Sequence, residues 1–255
     1  MKFRPCIDIH NGKVKQIVGG SLCDEGDRAS TNFASELGAD YYAKLYRKDH
    51  LKGGHIILLN PAGSEYYEAT RQQALRALAA YPGGMQIGGG VNDRNAAGYL
   101  EAGASHVIVT SYVFRDGMLD MEHLDRLVSA VGREHIVLDL SCRLKDGEYR
   151  VVTDRWQKFT ELRLDHRTLD ELSGYCDEFL IHGVDVEGKR SGMGEELVRL
   201  LGEWNGIPVT YAGGIASLED VERFGSLCGG RLDYTIGSAL DLFGGSVPYR
   251  KLVSC

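Results

Sequence analysis

Two aspartates in this chain stand where a carboxylate can do acid–base work. Asp8 interrupts a short apolar run, Cys6-Ile7-Asp8-Ile9, that reads as a strand. The Asn11-Gly12 pair behind it signals a turn before a second Val/Ile run ends in Gly19-Gly20. Asp139 lies in a similar run, Ile136–Leu140. A carboxylate near a strand end can be a general acid, a general base or a solvated terminus, and Asp8 by itself fits the last of these best. The spacing of glycine pairs changes that balance. Gly89-Gly90 and Gly213-Gly214 each follow a strand-like run and precede a helix-like one, 124 residues apart. Thr110-Ser111 and Gly237-Ser238 each end the next strand with their serines 127 residues apart, and Asp8 and Asp139 are 131 apart. Glycine lets the backbone approach an anion closely, and the N-terminus of a following helix points further N–H groups at it. One Gly-Gly pair is more often a tight turn. Two pairs at matching offsets point to a duplicated half with a phosphate cradle in each copy.

The elements that must position these groups alternate along the chain. Strands are expected at Pro5–Ile9, His55–Asn60, Met85–Gly88, His106–Thr110, Ile136–Leu140, Glu178–Val184, Pro208–Ala212 and Leu232–Ile236. Helical periodicity covers Asn32–Tyr46, with Phe33, Leu37, Tyr41 and Leu45 as its apolar positions. Further helices are expected at Glu65–Tyr81, stopped by Pro82-Gly83-Gly84, and at Asp93–Ala102, Met121–Val131, Arg167–Cys176 and Glu195–Trp204. Ser217 caps a helix over Leu218–Leu227. One excursion breaks the rhythm: Arg143–Lys158 reads as a β-hairpin about Lys145-Asp146-Gly147, ending near Trp156. Eight strands, each followed by a helix or helical segment, in a chain of this length imply a (β/α)8 barrel, one domain over residues 1–255 built from two half-barrel repeats. A doubly wound open sheet would carry G-x-G-x-x-G in its first turn, and that motif is missing.

In such a barrel the C-terminal strand ends share one mouth, and the loops after strands 7 and 8 form the usual phosphate site. The equivalent loops after strands 3 and 4 would hold a second phosphate. Two phosphates with two carboxylates between them describe a bisphosphorylated small-molecule substrate. Trp156 either packs inside the hairpin or stacks on a planar ligand, and His182, in strand 6 near the mouth, is either a buried hydrogen-bonded residue or a ligand contact. The Tyr41-Tyr42 and Tyr66-Tyr67 pairs read as helix packing.

Composition narrows the class. The 255 residues are 43% hydrophobic and 25% charged, an ordinary globular balance. A net charge of −7 argues against nucleic-acid binding, and no apolar run approaches the roughly 18 residues of a membrane span. Six dispersed cysteines without C-x-x-C and eight histidines without H-x-H or H-E-x-x-H suggest reduced thiols and no metal. The strand starting by residue 6 leaves no room for a signal peptide, so a cytoplasmic protein, or an organelle form lacking its transit peptide, is expected. The acidic surface suggests a monomer.

The stretches CIDIHNGKVKQIVGG, QIGGGVND, VIVTS, VLDLSCR, RWQ, FLIHGVDVEG, YAGGIASLEDV and TIGSALDLFGG, spread over nearly the whole chain, resemble the isomerase family of histidine biosynthesis, and its eukaryotic-type branch most closely. The resemblance implies a (β/α)8 barrel of two half-barrels, no cofactor, and an Amadori rearrangement of the aminoaldose phosphoribosylformimino-AICAR ribotide to its phosphoribulosyl aminoketose. By similarity Asp139 is the acid and Asp8 the base, and the acid's pKa should be raised so that it stays protonated. Phosphate binding falls on Gly89, Gly90, Thr110 and Ser111, and on Gly213, Gly214, Gly237 and Ser238. Trp156 becomes a candidate for stacking on the substrate, His182 for a substrate contact, and Gly20 belongs to a strand-1 loop that reads as a lid. Members of the bacterial branch carry Arg where Gln16 stands, Thr-Asp where His182-Gly183 stand, and a shorter region after Asp139. Two rivals remain: the cyclase barrel of imidazole-glycerol-phosphate synthase, kept alive by Lys13 and Lys15, and a phosphosugar-binding barrel without catalysis. Relaxed specificity toward a tryptophan-pathway aminoaldose is also open.

Overall fold

Strand alternation decides which side chains face the barrel interior. The computed structural model describes residues 1–17, 30–154, 156–186 and 192–253. Its eight parallel strands are β1 Cys6–His10, β2 Gly54–Leu58, β3 Met85–Gly88, β4 Val107–Val109, β5 Ile136–Asp139, β6 Glu178–His182, β7 Val209–Ala212 and β8 Asp233–Thr235, each hydrogen-bonded to the next in chain order. The helices are α1 Ala39–Lys48, α2 Tyr67–Ala80, α3 Ala96–Glu101, α4 Met121–Val131, α5 His166–Leu172, α6 Glu195–Glu203, α7 Leu218–Cys228 and α8 Tyr249–Val253. The residues just before β1 join the sheet's other edge. Phe3 bridges Tyr234 in parallel, Arg4 N donates to Tyr234 O at 2.8 Å, and Tyr234 N donates to Lys2 O at 3.0 Å. The sheet therefore closes as a (β/α)8 barrel.

Residues paired in a parallel ladder share a face. Cys6 pairs with His55 and His55 with Gln86, while Asp8 pairs with Ile57 and Ile57 with Gly88. This set points into the barrel. The alternate residues Ile7, Ile9, Ile56, Leu58 and Ile87 are buried on the opposite face, under the helices. Inside, Ile108, Val137, Leu180 and Ala212 form their own small cluster, with Ile57 against it. At the N-terminal end of the strands, buried Glu178 accepts from Gln86 Nε2 at 2.9 Å and from Thr210 Oγ1 at 2.6 Å, with Arg4 Nη2 at 3.7 Å. A charge this deep is tolerated because it is paired and hydrogen-bonded. The lower barrel is thus plugged by a polar layer and an apolar layer, and open chemistry is left to the opposite end.

Side chains fix several helix starts: Asp120 accepts from His123 N, Asp165 from Thr168 N, and Ser217 from Asp220 N. Ser217 thus caps α7 as its sequence suggests. The largest departure from the sequence expectation lies near the N-terminus. Asn11 and Gly12 both have positive φ, 51° and 70°, which turns the chain directly back. Lys13–Ile17 then pairs antiparallel with β1, and Thr31–Ala34 pairs with Lys13–Ile17. The helix expected over 32–46 is therefore a strand followed by α1, and Asp8 is the third of five residues in β1 rather than its end. The excursion after β5 also has one strand more than the expected hairpin. Cys142–Lys145, Glu148–Thr153 and Lys158–Arg163 form an antiparallel meander, with Trp156 in its second turn. Of the tyrosine pairs, Tyr42 is buried, whereas Tyr41 and Tyr66 are exposed. The described cysteines Cys6, Cys142, Cys176 and Cys228 are buried and not in disulfides. Among the described residues no helix is long and apolar enough to cross a membrane.

Candidate active site

A cavity of about 830 Å³ opens at the C-terminal ends of the strands. Every described site residue expected from sequence lines it: Asp8 and Asp139, Gly89, Gly90, Thr110 and Ser111, Gly213, Gly214, Gly237 and Ser238, and Trp156 and His182. Gly20 lies outside the described residues. A second, open hollow between α5 and α6, lined by Asp165, Arg167, Glu196 and Arg199, shares no residue with it.

On the β1 side the half-buried Asp8 carboxylate meets a buried amide. Gln16 Nε2 donates to Asp8 Oδ2 at 3.3 Å and lies 3.7 Å from Cys6 Sγ. The antiparallel turn at Asn11-Gly12 brings Gln16 back over its own strand. The other end of the amide meets the last βα loop, for a Cβ placed on Gly237 would come within 2.4 Å of Gln16 Oε1. The φ of Gly237 is not in the left-handed region, so the need for glycine there is close approach rather than backbone freedom.

On the β5 side Asp139 is held by its own loop and by β6. Ser141 N donates to Asp139 Oδ1 at 2.9 Å, and the Ser141 hydroxyl makes a short hydrogen bond to the same oxygen. Ser141 Oγ is also 3.1 Å from His182 Nδ1, while His182 Nδ1 to Asp139 Oδ1 is 3.8 Å. Burial pushes the Asp139 carboxyl up, but the nearby His182 imidazole and the Ser141 hydrogen bonds outweigh it and hold the group below the ordinary carboxylate range. The raised value expected for an acid is therefore reversed. His55, buried in β2 with its ring 6.2 Å from that of His182, is pushed down to about 3 by burial and then by the charge of His182. It stays neutral.

Trp156 stands on the cavity wall, its ring centroid 5.4 Å from that of His182. Its φ of 67° is rare for a bulky residue, and strain of that kind collects at functional sites. The indole is therefore not hairpin core. Ser111 is tied to the same turn, its Oγ accepting from Asp154 N at 3.1 Å. In the first glycine loop the two members differ. A Cβ on Gly89 would strike Leu58 O at 2.1 Å, whereas one on Gly90 would meet nothing within 4 Å. Gly89 serves the packing of β3 against β2, and Gly90 is the residue with open space before it.

Sequence reasoning missed Ser141, His55 and Thr235. The Asp-x-Ser spacing at 139–141 was a readable signal, since a hydroxyl two residues on can reach back to the carboxylate. Thr235, buried at the end of β8 on the cavity wall, has a hydroxyl with no hydrogen-bond partner among the described residues. Such a group is costly to bury unless something in the cavity completes it.

A (β/α)8 barrel that sets two carboxylates between two glycine-rich loops at one mouth belongs to the class that does acid–base chemistry on phosphorylated small molecules. The chain belongs to the family described as histidine biosynthesis protein, whose model matches residues 2–244. It is 54% identical to a chloroplastic protein of Medicago truncatula named 1-(5-phosphoribosyl)-5-((5-phosphoribosylamino)methylideneamino)imidazole-4-carboxamide isomerase, over all of this chain and 81% of that protein. Proteins of the same isomerase name from Neurospora crassa and Saccharomyces cerevisiae are 47% and 44% identical, each over 96% of this chain and 93% and 94% of theirs.

Proposed function

We propose that this chain is the histidine-biosynthesis isomerase that converts phosphoribosylformimino-AICAR ribotide into its phosphoribulosyl form. The observation that carries the reading is the placement of Asp8 and Asp139 on β1 and β5, between the glycine loops of β3–β4 and those of β7–β8. A substrate with a phosphate at each end would span the mouth with its reacting ribose over the two acids. The names of the full-length relatives support the same activity.

The chemistry is an aldose–ketose rearrangement at an aminated sugar. An acid on the β5 side protonates the ribose ring oxygen, the C1′–O bond breaks, and the attached nitrogen is left as a protonated Schiff base. Asp8 takes the C2′ proton to give an enolamine. The proton then returns from Asp8 to C1′ as the 2′-hydroxyl gives up its own proton and becomes the ketone. Protons balance and nothing is oxidised or reduced overall, so no cofactor is required. Each acid–base group is worth about 10²–10⁴-fold in rate.

Incubation with the formimino substrate, with and without ammonia, tests the reading. The aminoketose is expected in both cases; imidazole glycerol phosphate formed with ammonia would assign the cyclase reaction instead. Asp8→Asn should lower kcat by about 10²-fold or more with KM little changed. A variant that turns over normally but binds poorly would remove Asp8 from the chemistry.

A further inference from the structure

We propose that Asp139, Ser141 and His182 form a proton relay in which the His182 imidazolium holds the proton that opens the substrate ring. The inference rests on the isomerase reading and deepens its first step. An acid is needed on the β5 side, yet the surroundings of Asp139 keep it ionised in the resting site. A carboxylate that is already ionised has no proton to give.

Geometry supplies one. The fully buried Ser141 hydroxyl has a single hydrogen, and it lies along the short bond to Asp139 Oδ1. Its oxygen is then free to accept from the Nδ1–H of His182, 3.1 Å away. The direct His182–Asp139 separation of 3.8 Å is too long for a hydrogen bond, so the hydroxyl is the connection. The Ser141 backbone N–H bonds the same carboxylate oxygen and fixes the hydroxyl beside it. Among the described residues, His182 is faced by Asp139 from β5, Ser141 from the loop after it, the neutral His55 from β2 and the Trp156 ring from the meander. Asp139 is the one carboxylate in that set.

The transfer is concerted along the line. The Nδ1 proton moves to Ser141 Oγ as the Oγ proton moves to Asp139 Oδ1, and Asp139 passes a proton to the ring oxygen. This leaves a carboxylate and a neutral imidazole. When the 2′-hydroxyl later ionises to the ketone, its proton returns through Asp139 and Ser141 to Nδ1. The unit is restored at the end of each turnover, and Asp8 separately borrows and returns the carbon-bound proton.

His182→Asn tests this, because its amide can still donate to Ser141 but cannot titrate. The expected result is a fall in kcat of about 100-fold with KM within about threefold, and loss of the alkaline arm of the kcat/KM profile. Unchanged kcat with the alkaline arm intact would overturn the relay. A second measurement needs no turnover: the His182 imidazole followed by ¹⁵N NMR in the wild-type chain and in Asp139→Asn. Its titration midpoint should drop when the carboxylate is removed, and a midpoint that does not move would also overturn the relay. If the wild-type chain fails to isomerise the formimino substrate, the isomerase reading falls and the relay with it. If the wild type is active and either His182 result is negative, the relay alone falls.

Discussion

The two carboxylates differ in what surrounds them: Asp139 faces Ser141 and His182, whereas Asp8 meets an amide. Asp8 has the Gln16 amide, whose far end occupies the space a side chain at position 237 would need. Gly237→Ala should therefore force the amide off Asp8 and lower kcat by about tenfold, while inhibition by inorganic phosphate stays nearly constant. The opposite pattern, with phosphate affinity lost and kcat retained, would return Gly237 to the anion site expected from sequence. The acids themselves were legible because a repeat selected them. Of their neighbours, His182 was expected near the mouth and Ser141 was readable from its spacing, whereas Gln16 and His55 come from separate segments that only the closed barrel brings to the site. The direction of the Asp139 shift was misjudged because burial could be foreseen, but not the approach of imidazole and hydroxyl to the carboxylate that overrules it.

At the scale of elements, most strands and helices fall within a few residues of their expected bounds, and the misread segment is instructive. Phe33, Leu37, Tyr41 and Leu45 recur every four residues, yet Leu37 is 48% and Tyr41 47% exposed. The face that α1 does bury is Ala39, Tyr42, Ala43 and Tyr46, whose i, i+3, i+4, i+7 spacing fits a helical turn better than a strict four. Phe33 belongs instead to a strand, its ring 5.7 Å from that of Phe243. The meander after β5 was legible from its first turn, but its third strand carries no comparable signal. Its second turn presents Trp156 to the cavity, and Trp156→Ala should raise KM about tenfold, the scale of one lost aromatic stack, with Tm changed by no more than about 2 °C. A fall in Tm of several degrees with KM unchanged would show a packing role.

For the molecule as a whole, the barrel was legible in the alternation of strands and helices and in the duplicated loops, whereas the ionisation of its interior was not. His55 is 4% exposed and its value falls from 6.5 to about 3. Above pH 6.5 neither the folded nor the unfolded chain protonates this residue. Below it the unfolded chain gains a proton that the folded chain refuses, so stability is lost as pH falls, by about 1.4 kcal/mol per pH unit down to about pH 3. Denaturant unfolding at pH 7 and pH 5 should show the wild type losing about 2 kcal/mol more than His55→Gln. Equal losses would mean that His55 titrates normally. The joint between Phe3-Arg4 and Tyr234 has a further consequence. It links residues some 230 positions apart, among the most distant pairings this chain can make, and such contacts form late because the intervening loop must first be closed. Until then β8 and the residues leading into β1 stay unpaired, although the end of β1 is already covered by Lys13–Ile17, and each open stretch can join a strand of another molecule. Asp8 lies on one side of that gap and Gly237 on the other, so the step that ends the risk of aggregation is the same step that completes the active site.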